Sequence, residues 1–180
     1  MKKIESFKNV LFSSALMVSI NLIAVGSATA APDHPPCSAS AQSRQLDFWM
    51  GDWAVSAPGG TKTSASKVFL ELDQCLVVES WDGGRGHTGK NMFAYSADDK
   101  SWHGLFADNE GRVHVFEGKV SAGAAEFTGP SRSETGAAIL NRLKVIRINA
   151  DQVEQTWEKS TDSGSTWSVV FRGVYLRKKS

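Results

Sequence analysis

What this chain has little of narrows the field first. Only two of its 180 residues are cysteines, Cys37 and Cys75, and they form no C-x-x-C pair, so the usual zinc spacings are missing and no metal is expected. Neither sign of charge dominates: 20 Lys and Arg stand against 19 Asp and Glu, a formal charge of +1. A nucleic-acid binder would carry a basic excess, so no nucleic-acid partner is expected. The G-x-S-x-G elbow of the serine hydrolases is absent. So is any long helical period. What remains, 41% hydrophobic and 22% charged residues, describes a globular chain rather than a disordered one. Its length holds one ordinary domain and not two.

The longest apolar run belongs to a leader. Lys2, Lys3 and Lys8 form a positive start, an apolar stretch follows over residues 10–25, and Ala28-Thr29-Ala30 supplies a small-residue cleavage site before Ala31. That order is the order of a secretory signal. The run is short for a membrane span and carries Asn21 near its middle, so membrane attachment would require an uncleaved leader. Residues 1–30 hold three Lys and one Glu, and their removal takes the charge from +1 to −1. The expected product is secreted or periplasmic. In an oxidising compartment an isolated pair of cysteines reads as one disulfide, Cys37 to Cys75, fastening an irregular arm (31–45) to a strand.

Beyond the arm the chain alternates in short apolar runs: 52–57, 66–72, 75–81, 90–96, 101–107, 112–120, 124–128, 139–148, 152–159 and 167–177. Turn residues separate them, as in Asp108-Asn109-Glu110-Gly111 and Asn149-Ala150-Asp151. The reading is all-β: a single antiparallel up-and-down barrel of about eight to ten strands over 46–180, with an open β-sandwich as the alternative. A meander this long leaves exposed edges unless it closes. Closure is the expectation.

One motif bears on which face points inward. Gly51-Asp52-Trp53 is a G-x-W opening the first strand, and here the chain resembles the calycin superfamily of lipocalins, fatty-acid-binding proteins and avidins. That resemblance implies that Trp53 closes the barrel base and that a late basic residue, Arg177, packs on it. It turns the odd positions of the last strand inward: Trp167, Val169, Phe171, Gly173, Tyr175 and Arg177. Residues 46–53, 74–81, 160–167 and the ending Tyr175-Leu176-Arg177 also resemble a bacterial lipocalin-like domain of unknown function, which implies a fold and no reaction. A haem site of the nitrobindin type is not expected, because the last three strands contain no histidine.

Two further motifs read as turns. Gly84 to Lys90 spells G-x-x-x-x-G-K, but Asn91 stands where magnesium-binding Ser or Thr would, and a strand follows instead of a helix. It is a glycine-rich connection near the barrel mouth. Ser160-x-Asp162-x-Gly164-x-x-Trp167 matches the Asp-box of sialidase propeller blades. One copy makes no propeller. Asp162, Gly164 and Trp167 are expected to build a hairpin turn.

Two classes of site remain. The aromatic residues Trp102, Trp157, Phe171 and Tyr175 are candidates to line a pocket for a small apolar or aromatic ligand, with no cofactor. An alternative is a cofactor-independent isomerase, lyase or hydrolase in which His103 acts as acid or base, oriented by Asp108 or Glu79. A third reading is a structural or interaction module of the cell envelope with a filled interior. His114, on the strand beside His103, is a further candidate, with core packing as its simpler role.

Overall fold

A computed structural model describes residues 36–60 and 64–179. The expected signal, 1–30, lies outside them. Ten strands follow in order: β1 (Gly51–Ser56), β2 (Ser64–Glu71), β3 (Leu76–Gly84), β4 (His87–Ser96), β5 (Ser101–Asp108), β6 (Val113–Ser121), β7 (Ala124–Arg132), β8 (Ala138–Asn149), β9 (Gln152–Ser160) and β10 (Ser168–Arg177). Each pairs antiparallel with the next, and β1 pairs with β10 to close the barrel. All ten expected strands are present. The sandwich is excluded.

Closure leaves no edge unpaired among the described strands, and the antiparallel order gathers the β2–β3, β4–β5, β6–β7 and β8–β9 turns at one end. That end is packed solid. Leu46 and Trp49, from the short 3-10 turns before β1, are fully buried against Trp53, Phe93, Phe127 and Val153. Phe93 and Phe127 stack with ring centroids 4.5 Å apart. Trp53 and Arg177 are cross-strand partners, and the guanidinium lies 4.3 Å above the indole while donating to the Met50 carbonyl at 2.8 Å. Trp53 Nε1 donates to the Trp49 carbonyl at 3.0 Å. Gly51 is required by this arrangement. Its φ is +138°, and a Cβ there would fall 2.2 Å from Arg177 Nη1.

The expected inward face of β10 holds for Phe171, Gly173, Tyr175 and Arg177 but fails at its start. A bulge between Val169 and Phe171 shifts the register, and Val169 is exposed. Trp167 precedes the strand. Its indole donates to the Gly164 carbonyl at 2.9 Å and lies 3.9 Å beneath the Arg142 guanidinium. An inserted residue reverses the side-chain phase, so alternation counted from the strand's end misassigns what lies before it.

Cys37 and Cys75 are bonded, with Cα atoms 5.0 Å apart. Cys75 sits in the β2–β3 turn rather than in a strand. Leu72, Asp73 and Gln74 there all take positive φ, and Arg44 donates to Gln74 Oε1 at 3.1 Å.

Candidate functional site

The opposite half of the barrel is hollow. A cavity of about 370 Å³ is lined by residues including Trp81, Phe106, Trp157 and Phe171 on its walls and Glu79, Asn91, Gln155 and Tyr175 in its depth, with His87, Arg112, His114 and Lys159 completing the polar part. Pairing explains how distant residues meet. Glu79 faces Asn91, Asn91 faces Phe106, and Phe106 faces His114 across β3, β4, β5 and β6. Cross-strand neighbours share a face, so one inward row runs from a carboxyl to an imidazole.

The deep end is a closed hydrogen-bond network. Glu79 is fully buried. Its Oε1 accepts from Ser66 Oγ at 2.7 Å and from Tyr175 OH at 3.0 Å, and its Oε2 accepts from Asn91 Nδ2 at 2.7 Å. The Tyr175 hydroxyl also touches the Gln155 amide. Burial pushes the Glu79 carboxyl up against the pull of its three donors. Burial likewise pushes the Tyr175 phenol well up, reinforced by the neighbouring carboxylate. Though it borders the cavity, the carboxyl is held by three donors. Its work is to fix the orientation of Asn91 and Tyr175.

The aromatic wall is built edge to face. Trp157 meets Phe106, His114 and Phe116 at centroid distances of 5.1, 4.9 and 5.3 Å, and Trp81 meets Phe171 at 6.1 Å. Three lining residues each keep a buried polar atom with no hydrogen-bond partner: Trp81 Nε1, Asn91 Oδ1 and His114 Nδ1. Trp49 Nε1, in the packed end, is unpartnered as well. Desolvation by burial lowers the His114 ring's affinity for a proton, and the Lys159 and Arg112 charges lower it further, partly offset by Asp108.

At the rim, His87, Asp108 and Glu110 offer ligand atoms within 4.8 Å of one another. The Arg112 guanidinium already occupies their midst, with Nε 2.6 Å from Asp108 and Nη2 2.9 Å from Glu110 and 2.8 Å from His87. Burial pushes the Asp108 carboxyl up, but hydrogen bonds from the Arg112 amide and guanidinium, from His87 and from the Glu110 amide outweigh it and hold it at about 2. The cluster is an ion-pair knot. Within Gly84 to Lys90, Arg85 and Gly86, both at positive φ, make a tight β3–β4 hairpin turn, and His87 to Lys90 open β4.

The sequence-derived candidates separate accordingly. Trp157, Phe171 and Tyr175 share the cavity with Glu79. Trp102 does not: it is buried in the packed end, its Nε1 donating to Gln45 Oε1 at 3.0 Å. His103 points outward between the inward Trp102 and Gly104 and meets exposed Asp99 at 2.7 Å. It is therefore on the wrong side of the sheet to pair with Glu79, and Asp108 is engaged with His87 and Arg112. Sequence reasoning passed over Trp81, Asn91, Phe106 and Lys159. Their signal was parity: Trp81 lies two residues from Glu79, and Phe106 four from Trp102.

No protein-family model and no curated protein matches the chain.

Proposed function

We propose that this protein is an extracytoplasmic carrier or receptor of a small aromatic or apolar molecule, held in the hollow half of a calycin-like barrel. The observation that carries the reading is the cavity of about 370 Å³ walled by Trp81, Phe106, Trp157 and Phe171. A space of that size between aromatic walls falls within the range of small-molecule sites. The G-x-W arrangement of Gly51, Trp53 and Arg177 supports the lipocalin-like likeness. The Cys37–Cys75 bond supports export after loss of residues 1–30. The geometry gives no support to the hydrolase, lyase or isomerase reading, because its proposed acid–base residue His103 faces away from the cavity.

The test is direct. Native mass spectrometry of gently purified protein, with tryptophan fluorescence titration across an aromatic and lipid panel, is expected to reveal a ligand. Phe171→Ala is expected to weaken it about tenfold or more, on the order of the area lost. Absence of any bound species and of any fluorescence change across the panel would refute the proposal.

A further inference from the structure

The charges on the cavity wall narrow the ligand class. Four basic residues, His87, Arg112, His114 and Lys159, line the cavity. Arg112 is committed to Asp108 and Glu110, and His87 lies against the same carboxylates. Lys159 is different. It follows Trp157 by two residues along the inner face of β9, its cross-strand partners Asn141 and Ser168 are neutral, and among the described residues its ammonium makes no ion pair or hydrogen bond. Neighbouring Glu158 does not neutralise it, because that carboxylate points outward into Arg142 at 2.7 Å and Lys144 at 3.0 Å.

Half-buried beside the aromatic wall, the Lys159 ammonium has no counter-charge among the described residues. His114 stands nearby. The titratable groups facing it are Lys159, Arg112 and Asp108, and the two cations outweigh the one anion. Because Arg112 is paired with Asp108 and Glu110, the positive charge left unmatched at this point of the inner wall is that of Lys159, and His114 Nδ1 is unpartnered. A volume of about 370 Å³ lies toward the lower end of the roughly 300–1,000 Å³ typical of small-molecule sites, which suits one or two rings.

Resting on the binding reading above, we infer that the ligand is a small aromatic acid, its ring packed on Phe106 and Trp157 and its anionic group beside the Lys159 ammonium and the His114 ring. A charge-assisted hydrogen bond at Lys159 fixes the acid's orientation, and the rings supply the apolar contact.

Cinnamate and cinnamyl alcohol differ in the charged group and make a matched pair of probes. At pH 7 the acid is expected to bind the unaltered protein about tenfold more tightly than the alcohol, as one charge-assisted bond implies. Lys159→Met is expected to remove most of that preference, and Lys159→Arg to keep it. In NMR titrations the acid, and not the alcohol, is expected to raise the pKa of the His114 ring, because an anion there offsets the neighbouring cations. If Lys159→Met fails to fold, the comparison of probes in the unaltered protein decides. Equal affinity for the two probes, or equal losses for both in Lys159→Met, would overturn the inference while leaving a neutral aromatic ligand in place. Failure of both probes and of every other aromatic tested would overturn the binding reading itself.

Discussion

Two buried residues illustrate how differently single side chains serve this barrel. Trp53 is fully buried and sits between the Trp49 carbonyl and the Arg177 guanidinium. Trp53→Ala removes the ring, the hydrogen bond and the support for Arg177 together, and is expected to cost about 3–5 kcal/mol in urea unfolding. Glu79 works against the fold at neutral pH. Its folded pKa is raised, mainly by desolvation. The stability it lends is therefore complete below its unfolded pKa and lost as pH rises through the folded value. Glu79→Gln keeps the shape and removes the charge. Urea unfolding is expected to show the variant gaining on the unaltered protein as pH rises above the ordinary carboxylate range. A gap that does not change with pH would show that Glu79 does not titrate in this way.

At the scale of elements, the β9–β10 turn is a self-contained structure. Asp162 Oδ1 accepts from the Thr166 amide at 2.9 Å and from Ser160 Oγ at 2.7 Å, while Oδ2 accepts from Thr166 Oγ1 at 2.6 Å. Gly164 takes φ +91° and donates its amide to Ser160 Oγ at 2.8 Å. These bonds hold the Asp162 carboxyl at about 2, led by those from Thr166. A depressed folded pKa gives stability that is present above the unfolded value, near 4, and lost as pH falls toward 2. Asp162→Ala is expected to lower the melting temperature at pH 7. Thermal scans should show the difference closing between pH 4 and pH 2. The motif was fully legible in sequence because every partner lies within a few residues. The bulge three residues later was not, since an inserted residue leaves no mark in alternation until the partner strand is known.

For the molecule as a whole, the disulfide and the plug belong together. The bond joins residues separated by 38 positions and anchors the segment whose Leu46 and Trp49 fill the closed end. Loop-closure entropy gives it about 4 kcal/mol. Replacing both cysteines by serine is expected to lower the unfolding free energy by about that amount, measured against the oxidised protein in urea. The barrel then divides its interior: one half carries the packed core, and the other is left hollow between aromatic walls.

The sequence by itself determined the strand inventory, the disulfide pair and the Asp162 turn, and the resemblance of its G-x-W motif implied the Trp53–Arg177 contact. Local alternation, residue chemistry or a recognisable motif encodes each of them. Only the tertiary structure decided which side of the sheet each candidate occupies. Parity along β5 made His103 and Trp102 equally eligible for the interior. Closure turned Trp102 into the packed end and His103 to solvent, because Gly104 and Phe106 share the Trp102 face. Strand pairing also brought Glu79, Asn91 and Tyr175 together, though Tyr175 lies 96 positions from Glu79 in the chain. A cavity is a property of how closed strands fail to fill their interior, and no run of neighbouring residues contains it.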